Sequence, residues 1–309
     1  MQLILRNCRL GTPAPITTKV NRETCYGLME NWITASDGSQ LLMREWMLDD
    51  PAALVLIVHG LAEHSGRYNE VAAALNSHQF AVVSYDHRGH GRSPGRRAHI
   101  DSMDRLVEDL ACVVDHLCHT YDAPLFLMGH SMGGAITLRY VLGQSAMPVR
   151  GIILNGAAIK LPDDLAPALR PFASALSALA PRLPTVRMDP NALSSDPAVV
   201  KDYLQDPLTY TERLPARTGA EMLRVSQTLQ KQLDQLDLPV LFLHGTDDTL
   251  TTPEGSVLAY EQAASADKTL KLYEGFRHET FRESGGDRVI ADIIEWLTSR
   301  LSRARATEA

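Results

Sequence analysis

The sequence predicts an α/β protein built on a mostly parallel sheet. Continuous apolar runs of strand length recur, such as Leu54–Val58 and Val240–His244, as strands covered on both faces require. Stretches of helical period separate these runs, and parallel neighbours need such crossovers. Turns rich in glycine, histidine and acidic residues follow several of the runs, at the carboxyl ends where open α/β sheets place their sites.

In order, residues 1–29 show no periodicity and are expected to form a loosely ordered leader. Glu30–Ala35 and Gln40–Met47 read as two strands joined by the tight turn Ser36-Asp37-Gly38-Ser39. Strands follow at Leu54–Val58 and Phe80–Ser84, with helical spacing over Tyr68–Leu75 between them. Leu106–Leu117 repeats at helical period. Leu125–Met128 is a buried strand leading into the helical stretch Ala135–Leu142, and Gly151–Asn155 is a further strand. From 158 to 218 strand signals vanish and nine of the 17 prolines gather. That density breaks helices into short pieces, so this segment is read as a cap inserted into a core of residues 30–157 and 219–303. Gly219–Leu236 resumes as an amphipathic helix. Val240–His244, Pro253–Ala264, Thr269–Tyr273 and Asp287–Arg300 complete the alternation, giving eight strands with helices on both faces.

With 309 residues there is room for one large domain with an insertion. A composition 45% hydrophobic and 22% charged excludes a largely disordered chain. A net charge of −7 without a basic stripe argues against nucleic acid. The tail cations Arg300, Arg303 and Arg305 suit a helix C-terminus. Cys8, Cys25, Cys112 and Cys118 form neither C-x-x-C nor a zinc spacing, and read as reduced, largely buried thiols. The N-terminal apolar patch is too short for a signal sequence, and no run reaches the ~20 apolar residues of a spanning helix. A cytoplasmic location is therefore expected.

Chemistry enters at Gly129-His130-Ser131-Met132-Gly133, a G-x-S-x-G between strand and helix. A sharp turn there lifts a serine hydroxyl clear of its backbone, and the following helix aims free N–H groups at a developing oxyanion. A serine nucleophile needs a base and an orienting carboxylate. On α/β-hydrolase sheets these follow in the order serine, acid, histidine. Of 11 histidines only His278 lies beyond the strand Val240–His244. The carboxylate is Asp247 or Asp248, which spacing alone leaves near even. The loop Asp86-His87-Arg88-Gly89-His90 is read as structural, because no further zinc ligands stand nearby.

The chain resembles the monoacylglycerol lipase family of the α/β-hydrolases, especially its bacterial members. The resemblance rests on His59-Gly-Leu-Ala-Glu-His-Ser-Gly-Arg-Tyr68, Tyr85-Asp-His-Arg-Gly-His-Gly-Arg-Ser93, Gly129-His-Ser-Met-Gly-Gly134, Asp206-Pro-Leu208, His244-Gly-Thr-Asp-Asp248 and Tyr273-Glu-Gly-Phe-Arg-His278. It implies an α/β-hydrolase fold with a helical cap, and catalysis by Ser131, Asp248 and His278. It places the oxyanion hole at the amides of Leu61 and Met132, and the glycerol end of the pocket at Glu63 and Arg67. The implied activity is cleavage of monoacylglycerol esters through an acyl-serine, without cofactor or metal. Alternatives are a lysophospholipase or broad carboxylesterase on the same residues, or a non-catalytic scaffold for an apolar ligand. Phe281 stands where mammalian relatives carry a second histidine, and Thr251 replaces a cysteine, so contacts to the glycerol headgroup are expected to differ. The apolar cap segment Pro171–Pro181 is expected to admit an acyl chain and touch a membrane or micelle surface.

Overall fold

The computed structural model describes residues 27–144, 148–162 and 172–308. The proposed leader up to residue 26, with Cys8 and Cys25, lies outside them, as do Arg170 and Pro171 at the start of the apolar cap segment.

Among the described residues one eight-stranded sheet runs in the order β1-β2-β4-β3-β5-β6-β7-β8. The strands are β1 Leu28–Thr34, β2 Gln40–Trp46, β3 Ala53–Val58, β4 Phe80–Tyr85, β5 Leu125–His130, β6 Val149–Asn155, β7 Val240–Gly245 and β8 Lys268–Tyr273. β2 is antiparallel to β1 and β4, and every other pairing is parallel. The helices are α1 Asn69–Asn76, α2 Met103–Thr120, α3 Met132–Leu142, α4 Ala173–Leu179, α5 Pro197–Gln205, α6 Ala216–Leu229, α7 Pro253–Gln262 and α8 Asp287–Glu308.

The continuous apolar runs exist because side chains alternate between two buried faces. In β3, Leu54, Leu56 and Val58 join one core with α2, α3 and α6, through residues such as Leu110, Ile136 and Val225. Ala53, Val55 and Ile57 join a second core with α1 and α8, through Leu75, Val289 and Ile293.

Most boundaries shift by one to three residues from the sequence reading, and two elements show the reasons. β1 begins at Leu28, so the strand takes in two residues assigned to the leader. α6 starts at Ala216, directly after Pro215 in extended conformation, and ends at Leu229; a single 3-10 turn at Leu233–Gln235 follows. Of the two described cysteines only Cys112 is buried. Cys118 is exposed, six residues on and turned to the outer face of α2.

Between β6 and β7 the chain leaves the sheet and forms α4, α5 and α6. α5 is opened by Asp196, whose carboxylate accepts from the Ala198 amide at 2.8 Å, with Pro197 in its first turn.

Candidate active site

Ser131 sits between β5 and α3 with φ 53° and ψ −119°, in the left-handed region that side chains rarely adopt. The bend is held from both sides. The Ser131 amide donates to Asn155 O at 3.0 Å, and its carbonyl accepts from Gly134, Ala135 and Ala158. Gly133 is required where α3 leaves the turn, because a Cβ there would fall on the Val58 carbonyl oxygen.

Asp248 follows β7 and His278 follows β8. The His278 Nδ1 donates to Asp248 Oδ2 at 2.6 Å. The same aspartate accepts the Leu250 and Thr251 amides on Oδ1, at 2.8 and 3.1 Å, and the Thr251 hydroxyl on Oδ2 at 2.9 Å. Burial opposes its ionisation, but His278 and His244 beside it hold the carboxyl far below the usual range. Asp247 instead accepts from the Thr246 hydroxyl at 3.1 Å and is exposed. Both hydrogen bonds of His278 among the described residues use Nδ1. Nε2 is thus left for the cavity that His278 lines together with Ser131. Burial disfavours the charged ring, yet Asp248 outweighs it and raises His278 above the ordinary histidine value. His130 packs at 4.7 Å between ring centroids from His278, and burial lowers it to about 4. Phe281 meets His130 edge-on at 5.5 Å, an apolar wall where a polar ring was the alternative.

The amides of Leu61 and Met132 donate no hydrogen bond among the described residues. Met132 is the first residue of α3, so its N–H is one of the unpaired donors of a helix start. The turn carrying Leu61 is held by the next residue. Ala62 has φ 66°, and its carbonyl accepts from the Tyr210 amide at 2.9 Å and the Tyr203 hydroxyl at 3.1 Å. A second tie joins His64 Nε2 to Asp206 Oδ2 at 2.7 Å, which gives Asp206-Pro-Leu208 a physical reason.

Glu63 and Arg67 are buried rather than a surface pair. Glu63 Oε1 accepts from the Gly60 amide at 2.6 Å and Tyr68 hydroxyl at 2.8 Å. Arg67 lies 3.8 Å from Glu63 but donates to Glu279 Oε2 at 2.8 Å. Glu279, next to His278 in sequence, is a site residue that the sequence reading missed. Burial and the nearby Glu63 push its carboxyl up, against the pull of Arg67. Burial also acts upward on Glu63, but His130 and Arg67 prevail and hold it below the ordinary value.

Ser131, His278, Leu61, Glu63 and Glu279 line one cavity of about 330 Å³. Beyond these polar groups it runs under the segment between β6 and β7, walled by Leu161, Leu176, Val186, Leu214 and Met222. Its lining joins the paired carboxylates of Glu63 and Glu279 to a mostly apolar remainder, in which Arg187 and Asp189 are the other charged groups.

Residues 49–285 match the Hydrolase_4 family, described as "Serine aminopeptidase, S33". A monoacylglycerol lipase of Mycolicibacterium smegmatis is 36% identical over 85% of this chain and 95% of its own. The chain belongs to the monoacylglycerol lipase family of the α/β-hydrolases. A monoglyceride lipase of Mus musculus is 33% identical over 88% of this chain and 91% of its own. A soluble variant of the Saccharomyces cerevisiae monoglyceride lipase, solved with a substrate analog, superposes with a TM-score of 0.80 at 28% identity, over 93% and 98% of the two chains. The fold is accordingly the α/β-hydrolase fold of that family, and the protein is an ester hydrolase.

Proposed function

We propose that this protein hydrolyses monoacylglycerols to a fatty acid and glycerol through an acyl-serine intermediate. The observation that carries the reading is the Asp248–His278 bond of 2.6 Å at the wall of a mostly apolar cavity shared with Ser131.

His278 Nε2 takes the Ser131 proton as Oγ attacks the ester carbonyl, and Asp248 stabilises the imidazolium. The Leu61 and Met132 amides receive the oxyanion, and each such donor typically supplies on the order of 3 kcal/mol. His278 then protonates the departing glycerol oxygen, and water releases the acid from the acyl-serine. Glu63 and Glu279 face the alcohol side, where carboxylates accept hydroxyl protons, and Arg67 holds them in place. The apolar length of the cavity takes the acyl chain.

The segment from 158 to 218 acts as the cap. On its described part Phe172, Leu179 and Leu183 are exposed, and Leu179 is 87% accessible. These side chains form the contact with a membrane or micelle surface. No helix among the described residues is long and apolar enough to cross a membrane.

The test is turnover of monoolein beside lysophosphatidylcholine and a short nitrophenyl ester. Monoolein is the preferred substrate, and Ser131→Ala abolishes both turnover and phosphonate labelling. Labelling of another residue, or full turnover by Ser131→Ala, refutes the assignment.

A further inference from the structure

The end of β7 carries a second histidine on the same carboxylate. His244 is fully buried, and its Nε2 lies 3.1 Å from Asp248 Oδ2, the oxygen that also holds His278. The Thr251 hydroxyl stands off at 3.4 Å, and the other close Nε2 neighbour is the Thr251 carbonyl at 3.2 Å. Both close neighbours are acceptors, so Nε2 carries a proton and donates. On the opposite side Nδ1 meets Ser256 Oγ at 2.7 Å, from α7. Ser256 is itself fully buried and has no other hydrogen-bond partner among the described residues, so its hydroxyl proton goes to Nδ1. The ring therefore stands in one tautomer, pinned by a serine behind it and aimed at the aspartate before it.

We infer that His244 is a positioning residue for the catalytic pair: its Nε2–H fixes Asp248 Oδ2 and divides that oxygen's charge between two imidazoles. This rests on the roles given above to Ser131, Asp248 and His278. The backbone amides of Leu250 and Thr251 already anchor Oδ1. On Oδ2, Thr251 Oγ1 has a single proton and two acceptors in reach, Asp248 at 2.9 Å and Gly156 O at 2.8 Å. The His244 Nε2–H also stands between two acceptors, Asp248 Oδ2 at 3.1 Å and the Thr251 carbonyl at 3.2 Å, but its ring is pinned by Ser256, so the proton stays beside Oδ2. Without it, Oδ2 would present its charge to His278 more fully, and the carboxylate would lose one of the contacts that fix its plane. The other titratable groups around the pair are His130 against the His278 ring, Glu279 and Glu63 on the cavity side, and Glu254 near His244 on α7.

The pH profile of kcat/KM separates this role from packing. In His244→Leu the acid limb moves up by about one pH unit, because a more basic aspartate favours the imidazolium. Its kcat falls on the order of tenfold with KM within about twofold of the parent, as loss of orientation requires. His244→Gln, whose side-chain amide can donate from near the Nε2 position, returns the limb to within a few tenths of a unit of the parent, on the order of one retained hydrogen bond. Phosphonate titration counts folded sites in each variant. If the Leu variant does not fold, Ser256→Ala decides: it unpins the tautomer and shifts the limb in the same direction by less. Superimposed acid limbs in a variant with full site titre overturn the inference. Failure of the catalytic reading shows separately, as turnover that survives Ser131→Ala.

Discussion

Replacing Arg67 with methionine removes the guanidinium that touches both buried carboxylates, while keeping most of the side-chain volume, and leaves Glu279 only Arg282. In the structure Arg67 is 2.8 Å from Glu279 and 3.8 Å from Glu63, and the three side chains are only 5, 3 and 6% accessible. Solvent screening therefore offers little relief. Taking one partner from a buried ion pair costs about 3–5 kcal/mol where the other charge is left unpaired, and Arg282, 3.8 Å from the same Glu279 oxygen, puts the loss here at the lower end of that range. The guanidinium also lies 4.9 Å over the Tyr203 ring, a contact of about 0.5–2 kcal/mol. Taking ~4 kcal/mol as a central figure, the melting temperature of Arg67→Met falls by about 6 °C in a chain of 309 residues. The loss depends on pH in a set direction. Glu279 is already held above the ordinary carboxylate range, so ionising it weakens the folded state more than the unfolded chain. That penalty is absent below ~4.3, where both states hold the proton, and grows as pH rises through the raised folded value. Losing Arg67 raises that value further. The difference in melting temperature between parent and variant, followed by circular dichroism, is hence larger at pH 8 than at pH 5. A difference under about 2 °C at pH 8, or one equal at both values, would refute the buried-network reasoning.

Other outcomes follow from the same geometry. The acid limb of kcat/KM lies above the ordinary histidine value of ~6.5, because Asp248 raises His278; activity is lost as pH falls through that higher value, and a limb below 6 contradicts it. Gly219 lines the cavity on α6, and a Cβ there meets nothing within 4 Å among the described residues. Gly219→Phe should therefore lower kcat/KM for monoolein on the order of tenfold or more while sparing a short-chain monoacylglycerol, and an equal loss on both would place Gly219 outside the acyl path. Ser131→Gly eliminates turnover but relieves a positive φ, and stabilises the fold by about 1 kcal/mol, read as a melting temperature raised by about 2 °C.

Where information was local, the sequence carried it. The turn at Ser131 needs only a strand, small residues and a helix start, all contiguous. His278 was found by chain order, since no other histidine follows β7. Asp247 and Asp248 could not be separated by spacing, because which one turns inward is decided by a histidine 30 residues later. Glu279 was missed for the same kind of reason. It sits beside His278, yet its meaning comes from Arg67, 212 residues earlier. The family resemblance set Glu63 and Arg67 together at the pocket, whereas the shorter contact of Arg67 is to Glu279. His244 read as the last residue of a strand, and nothing in its own neighbourhood revealed that its ring reaches the aspartate four positions on.

The oxyanion loop and the segment above it are mechanically one unit. Ala62, a non-glycine residue at positive φ, would relax on its own toward ordinary backbone geometry. It is held by two hydrogen bonds to its carbonyl, from Tyr203 at the end of α5 and Tyr210 just beyond it. His64, two residues further, is held by Asp206 from the same stretch. The Leu61 amide thus takes its direction from residues more than 140 positions away. A whole-body displacement of the α5 region would break all three ties and release the strained turn, so entry of a substrate with the oxyanion site intact requires α5 to stay docked. Phe172 and Leu179 on the α4 side stand in solvent, while α4 packs on α6 and the chain beyond it is tied by the Ala216 and Arg217 amides to the carbonyls of Leu183 and Pro181 at 2.8 and 3.0 Å.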